Sequence, residues 1–283
     1  MVIINNKYII YKNSKSFFWA SKFLPKKILE KVINIYAFCR LQDDIVDEGI
    51  KIENPNEVLE LENIIKSYGV SNNTISSLVE GINSDKNFSR YKDNSELLRY
   101  CYKVAGVVGL MMIKALDIKG EEAKYFAIDL GIAMQLTNIS RDIMEDYKKN
   151  RIYIPENTAV NKDIINNMTN ENEEKIRSTV NQLIIKSEIY YKSSLNGMKF
   201  IPIKSRIAIL VALRIYQGIG IKIKKTGTKF IYENIYVTNK EKTLIVAKTI
   251  IEFLLFFIFP VYKKKHNIYL HESLEGLSDA HRK

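Results

Sequence analysis

The chain has 283 residues, 46% of them apolar and only five of them proline, which suits a folded protein of long regular elements and excludes a disordered or collagen-like chain. Lysine and arginine exceed aspartate and glutamate by 43 − 32 = 11, which favours anionic partners such as phosphates or anionic lipid; a composition drifted toward Lys, Ile and Asn is the competing explanation. The two cysteines, Cys39 and Cys101, form no CxxC or Cys/His pattern and read as buried thiols, so a disulfide framework is excluded and a cytoplasmic protein is expected.

The opening "MVIINNKYIIYKNSK" has no uninterrupted apolar core and no small-residue cleavage site, so no signal peptide is expected. Apolar residues then recur at helical spacing, which predicts helices over 14–22, 26–48, 56–68, 74–82, 95–117, 121–147, 171–196, 203–224 and 240–258. Residues 149–170, with Pro155 and many asparagines, read as a loop, and Asn161 to Asp163 cap a short helix after it. Nothing alternates strand and helix, and "GIG" at 218–220 lacks the third glycine of a dinucleotide fingerprint. The uncharged run from Phe253 to Tyr262 is far short of the ~20 residues of a spanning helix. It reads as a buried terminal helix or as a surface that dips into a bilayer beside "KKKH". No linker or repeat divides the chain, so one all-α domain over 1–283 is expected, with a flexible tail from about 263 to 283.

Two of these helices carry unusual acidic stripes. In "INIYAFCRLQDDIVDE", Tyr36, Arg40, Asp43 and Asp47 fall on one stripe, spaced four, three and four apart. Val32, Ile35, Cys39 and Val46 flank it, and Phe38, Leu41 and Ile45 cover much of the opposite face. A helix apolar nearly all round is a buried one, so the stripe is no ordinary solvent face. Between Gly131 and Tyr147 the arrangement repeats: Gln135, Asn138, Asp142, Glu145 and Asp146 share an arc beside Ile132, Leu136, Ile139 and Ile143. Carboxylates facing a low-dielectric interior repel and take up protons unless cations compensate them. Two such helices facing each other offer the hard oxygen ligands that Mg²⁺ prefers, and Arg40 and Arg141 suit a substrate with more negative charge than its metal ions cancel. The pattern implies a metal-bridged diphosphate pocket. Competing chemistry is absent: His266, His271 and His281 lie far from the acidic stripes, and Ser16 and Ser140 have no histidine nearby.

At these residues the sequence resembles the squalene/phytoene synthase family, the head-to-head prenyl synthases. "YAFCRLQDDIVDE" looks like its first aspartate-rich motif and "QLTNISRDIMEDYKKNRIYIP" like its second. "SKSFFWA" and "YCYKVAGVVGLMM" resemble its N-terminal substrate segment and its central helix, and the matches run in order from about residue 10 to 245. The resemblance implies an all-α isoprenoid synthase fold with a central cavity and an enzyme that condenses two allylic diphosphates with Mg²⁺, Mn²⁺ serving as a substitute. It implies that Asp43, Asp47, Asp142 and Asp146 hold the metal ions, with Glu145 a candidate. Arg40, Arg141 and Arg151 meet phosphate, with Ser14, Ser16 and Tyr36 nearby, while Lys148 and Lys149 stay solvated. Tyr100, Gln135, Asn138 and Tyr216 match other active-site positions, Tyr100 with a catalytic role. Asn234 stands where relatives often carry an arginine.

"GVVGLMM" and "LHESLEGL" look most like bacterial phytoene synthases. That implies two geranylgeranyl diphosphates joined to phytoene through a cyclopropylcarbinyl diphosphate, without NADPH, for carotenoid synthesis. It also implies peripheral membrane contact, handover of product to a desaturase, and no nucleic acid partner. The alternatives are a squalene, dehydrosqualene or hydroxysqualene synthase acting on farnesyl diphosphate, and a non-catalytic, membrane-associated assembly factor.

Overall fold

The computed structural model describes residues 15–47, 55–258 and 264–280, and among them there is no β-strand. In chain order the helices are α1 (Lys15–Ser21), α2 (Lys26–Asp47), α3 (Pro55–Ser67), α4 (Asn72–Asn83), α5 (Asn94–Cys101), α6 (Val107–Ala115), α7 (Glu122–Lys148), α8 (Lys162–Asn166), α9 (Asn170–Leu195), α10 (Ile203–Lys225) and α11 (Asn239–Ile258). The helices expected from periodicity are all present, with ends moved by one or two residues. Capping residues explain several ends. Ser71, Asp93, Asn161 and Thr169 each accept a backbone N–H of the first turn of α4, α5, α8 and α9. The expected short helix after Asn161 is α8.

The single helix expected over 95–117 differs in one respect. Its middle, Tyr102–Gly106, is a π-helical turn that joins α5 to α6. Periodicity alone cannot register one inserted residue in an otherwise apolar helix.

Helix α7 is the centre of the bundle, packed on α9, α6, the π-turn, α10 and α5. Its apolar positions Ile128, Ile132, Leu136, Ile139 and Ile143 are buried at the three- and four-residue spacing of one face. The crossing with α6 and the π-turn is made close by two glycines. A Cβ at Gly109 would lie 2.2 Å from the Ala127 carbonyl oxygen, and one at Gly131 would lie 2.2 Å from that of Ala105. Backbone therefore packs on backbone where these helices cross.

Residues 264–280, expected to be flexible, are instead fastened to three helices. Arg99 of α5 donates to the carbonyls of Ser273 and Glu275 (3.0 and 2.9 Å), Tyr102 of the π-turn to that of Ser278, and Tyr190 of α9 to that of Leu270 (2.9 Å). His266 and His271 are buried against Asp129 of α7. The segment has little periodicity to signal order, because side chains distant in sequence satisfy its backbone.

The close crossing yields a test. Gly131→Ala must push two backbones apart, and it is expected to lower stability by about 1–3 kcal/mol, as overpacking a close-packed interior does. Denaturant unfolding of the two proteins measures it, and equal midpoints would show that the crossing is looser than its geometry.

Candidate active site

Two connected spaces lie along α7. The first is a polar chamber of about 240 Å³, lined by Asp43 of α2, Asp85, Arg141, Asp142 and Asp146 of α7, then Lys149, Arg151 and Tyr153. The second is a largely apolar cavity of about 330 Å³ running between α1, α2, α6, α7 and α10. Asp43, Gln135 and Asn138 line both, so they stand at the junction. Along α7 the cavity is lined from Asn138 back to Ala123, a span of about 22 Å at the helical rise of 1.5 Å per residue.

The chain turns its basic run back over the acidic chamber by a specific device. After α7, Asn150 takes a left-handed conformation (φ 60°), which asparagine tolerates better than most side chains. The Arg151 N–H then returns to the Asp146 carbonyl at 2.9 Å. This places Arg151 on the chamber wall, next to Lys149 at the end of α7. Arg151 is the residue expected there; Lys149, which reads as solvated in the sequence, lies beside it because it sits at the end of α7, three residues after Asp146 and so on the same helical side. Farther on, Arg90 holds the loop by donating to the carbonyls of Ile154 and Pro155 (both 2.8 Å) and of Val160.

The electrostatics of the chamber are those of crowded carboxylates. Asp142 is clamped by its neighbour, with Arg141 Nε on Oδ1 and Nη2 on Oδ2, both at 2.6 Å. Burial pushes the Asp146 carboxyl up to about 8, with the charges of Asp142 and Glu145 adding to the effect. The Asn138 side-chain oxygen is buried without a hydrogen-bond partner, while its nitrogen donates to Gln135 at 3.3 Å. Asn138, Asp142 and Asp146 recur every four residues and so form one row of oxygens on α7. An orphaned amide oxygen in line with Asp142 and with an Asp146 carboxyl that resists ionisation fits a hard divalent cation with oxygen ligands.

The structure distributes the other expected residues as follows. Tyr36 and Tyr216 line the apolar cavity, joined through Phe17 with ring centroids 6.0 and 5.4 Å apart. The Tyr36 phenol is pushed up to about 12 by burial and then by Tyr216, so it stays protonated. Arg40 pairs with Asp44 one turn along α2 at 2.5 Å and lines neither space. Glu145 is exposed and off the chamber wall, since three residues from Asp142 it turns away from the row. Ser16 lies on α1 and lines neither space, and Asn234 is exposed and also absent from both walls. Ser14 falls outside the described residues, as does the side chain of Asp47, the last residue of α2.

Tyr100 is one layer behind the chamber rather than on it. Its hydroxyl donates to Asp85 Oδ2 at 2.9 Å, and its ring stacks on Tyr153 at 5.1 Å and meets Tyr91 at a tilt, with centroids 5.3 Å apart. Burial pushes the Tyr100 phenol well up, so it remains a donor. Asp85 is the acidic residue that sequence reading missed. It follows α4 in a polar turn, with no stripe to distinguish it from a solvated aspartate.

Comparison with known proteins gives the family and the fold. The family model described as squalene/phytoene synthase matches residues 10–60 and 51–241. The 15-cis-phytoene synthase of Pantoea ananas is 31% identical over 269 residues, covering 83% of this chain and 86% of that protein. That of Enterobacter agglomerans is 30% identical over 272 residues, covering 83% and 90%. A solved dehydrosqualene synthase, crystallised with a ligand, superposes with a TM-score of 0.73 at 27% identity, covering 89% of this chain and 96% of that one. The chain belongs to the squalene/phytoene synthase family, and its fold is the helical isoprenoid synthase fold.

The raised Asp146 carboxyl makes a pH prediction. Its folded-state value lies above the ~4 of a solvated aspartate, so its contribution to stability is full below about pH 4 and is lost as pH rises through about 8. Thermal melts of chelator-treated protein should show this loss between those limits, and Asp146→Asn should flatten it. An unchanged slope in the variant would clear Asp146 as its source.

Proposed function

We propose that this chain is a phytoene synthase: an alkyl-transferring prenyltransferase that joins two geranylgeranyl diphosphates head to head, the whole chain acting as one domain around its cavity. The observation that carries this reading is the junction, where a carboxylate-lined, cation-hungry chamber opens through Asp43, Gln135 and Asn138 into a long apolar cavity. An extended isoprene unit advances about 5 Å at ordinary carbon–carbon bond lengths, so four of them, about 20 Å, fit along α7 between Asn138 and Ala123. Phytoene synthases among the relatives support the same substrate.

In this reading Asp43, Asn138, Asp142 and Asp146, with Asp47, would hold Mg²⁺ or Mn²⁺, which when bound neutralises diphosphate and assists its departure. Lys149 and Arg151 meet phosphate oxygens from the chamber wall, and Arg141 adds its charge beside Asp142. Ionisation of the C–O bond at the junction leaves diphosphate in the polar chamber and the allylic cation in the apolar cavity. Burial there excludes water, the commonest trap for a cation. The Cys39 thiol and the Tyr36 phenol are both pushed up by burial and remain protonated, so neither is an anionic trap. The faces of Tyr36, Phe17 and Tyr216 are placed to stabilise positive charge. The second substrate's double bond attacks to give a cyclopropylcarbinyl diphosphate. A second ionisation, rearrangement and loss of a proton give phytoene, with no reductant required.

Incubation of purified protein with geranylgeranyl diphosphate and Mg²⁺, followed by extraction, should yield a C40 hydrocarbon without NADPH. Turnover of farnesyl diphosphate alone would move the chain to the C15 branch of the family, and turnover of neither would favour a non-catalytic scaffold. Asp43→Asn or Asp142→Asn should lower turnover on the order of a hundredfold or more while leaving the fold intact. Full activity in both variants would dismiss the carboxylate assignment.

The same reading gives the product a route. No helix of the described residues is long and apolar enough to cross a membrane. Helix α11, packed on the cavity helix α10, nevertheless exposes Leu244, Ile251, Leu254 and Leu255 at helical spacing, with Lys248 on the same side. This face would rest on an anionic bilayer and deliver the hydrocarbon to a membrane desaturase. Flotation with anionic liposomes should recover the protein with lipid, and paired Ile251→Glu and Leu254→Glu changes should leave it in the soluble fraction. Equal flotation of both proteins would place the contact elsewhere.

A further inference from the structure

Asp129 is fully buried on α7, away from both spaces of the active site, and two histidines from the C-terminal segment converge on it. His266 Nε2 lies 3.0 Å from Oδ2 and His271 Nε2 lies 2.8 Å from Oδ1. On its other side His271 Nδ1 lies 2.6 Å from the Ala280 carbonyl oxygen. With Asp129 ionised, the donor count sets the protonation of His271. A carbonyl oxygen only accepts, and so does an ionised carboxylate, so a ring with one nitrogen against each must carry a proton on both. Asp129 is the ionised partner: burial alone would raise its carboxyl, but hydrogen bonds from His266 and His271 outweigh it and hold it below the usual range. His266 completes the group as a donor through Nε2, and its own backbone N–H donates to Glu122 at 3.0 Å.

The cluster backs the cavity wall. The His266 ring meets Phe126 edge-on at 5.3 Å, Phe126 stacks on Phe200 at 6.1 Å, and both phenylalanines line the cavity near the start of α7. We propose that His271 is a buried imidazolium clasped between Asp129 and the Ala280 carbonyl, and that this charge pair docks residues 264–280 onto α7 and positions Phe126 at the wall of the cavity. His271 and Asp129 are thus positioning residues. Removing one proton leaves a lone pair facing an oxygen, so the clasp is lost as pH rises. The other ionisable groups around the cluster are Glu122, Lys199 (3.8 Å from Glu122), Lys124 with Asp279 (3.9 Å), Tyr125 and Tyr190.

The variant Asp129→Asn separates the charge from the mere shape. Its amide would accept from His266 through the oxygen and donate to a neutral His271 through the nitrogen, which leaves His271 Nδ1–H on the carbonyl. Every hydrogen bond survives and the titration disappears. The first measurement is the ¹⁵N imidazole spectrum of the full-length protein at pH 7.5, with His271 assigned by its loss in His271→Gln. Both ring nitrogens protonated in the native protein, and one in Asp129→Asn, is the expected result. A single protonated nitrogen in the native protein overturns the proposal. A full equivalent of transition metal that a chelator removes overturns it equally, because the metal would then stand where the proton is assigned.

The second measurement is amide hydrogen exchange of 264–280, corrected for the intrinsic pH dependence of exchange. Undocking releases one proton once a free imidazole has lost its own, above about pH 6.5. Opening in the native protein should therefore increase about tenfold per pH unit from there. Asp129→Asn should be flat, any residual slope belonging to the surrounding groups named above. The amides of Ala123 to Phe126 should follow the tail. Parallel slopes in the two proteins would refute the charge pair, and α7 amides indifferent to tail release would refute its hold on the cavity.

Discussion

Asp142 and Asp146 stand one turn apart on α7, with Asp43 and Asp85 lining the same chamber from other parts of the bundle. Carboxylates brought this close and partly taken out of water repel, and the rise of the Asp146 carboxyl to about 8 is the trace of burial and that repulsion together. Most of the surrounding architecture answers it. Arg141 clamps Asp142, Lys149 stands at the end of α7, the left-handed Asn150 swings Arg151 back over the chamber, and Arg90 fixes the loop that follows. The arrangement lowers the local cost without removing it. A site left short of positive charge is suited to cations and, through them, to the polyanion of the proposed reaction.

The apolar cavity is the other half of the same constraint. A leaving group needs charge around it and a carbocation needs the absence of nucleophiles, and these requirements conflict within one undivided space. Helix α7 resolves the conflict along its length. Its C-terminal turns carry carboxylates and its earlier turns carry Met134, Leu130, Ala127 and Phe126, so polarity changes across the junction at Gln135 and Asn138. The glycine-mediated crossing of α6 and the π-turn over α7 brings backbone close to the wall, so its shape depends on backbone as much as on side chains.

The clasp at Asp129 extends the dependence of the structure on buried charge to a third place on α7. A buried aspartate with two histidine donors is stable only while its partners keep their protons, and those partners arrive from the last part of the chain. The C-terminal segment is thereby integrated with the wall of the cavity rather than appended to it.

Periodicity and spacing determined the helices and the two acidic stripes, and the quoted motifs carried the resemblance to the family, because these are local or motif-bound properties that a linear pattern records. The positions of Asp43, Asp142 and Asp146 in one chamber follow from that pattern, since i and i+4 positions on buried helices have few places to face. Four features were decided only by the tertiary structure. Asp85 joins the chamber from a turn that looks solvated in sequence. Arg40 pairs with Asp44, Arg151 is carried onto the wall by a left-handed residue, and His266 and His271 find Asp129 some 140 residues away. Each depends on which charges lie within a few ångströms after folding. Electrostatic partners are chosen by distance in space, and one sequence specifies that distance only through the whole packed bundle.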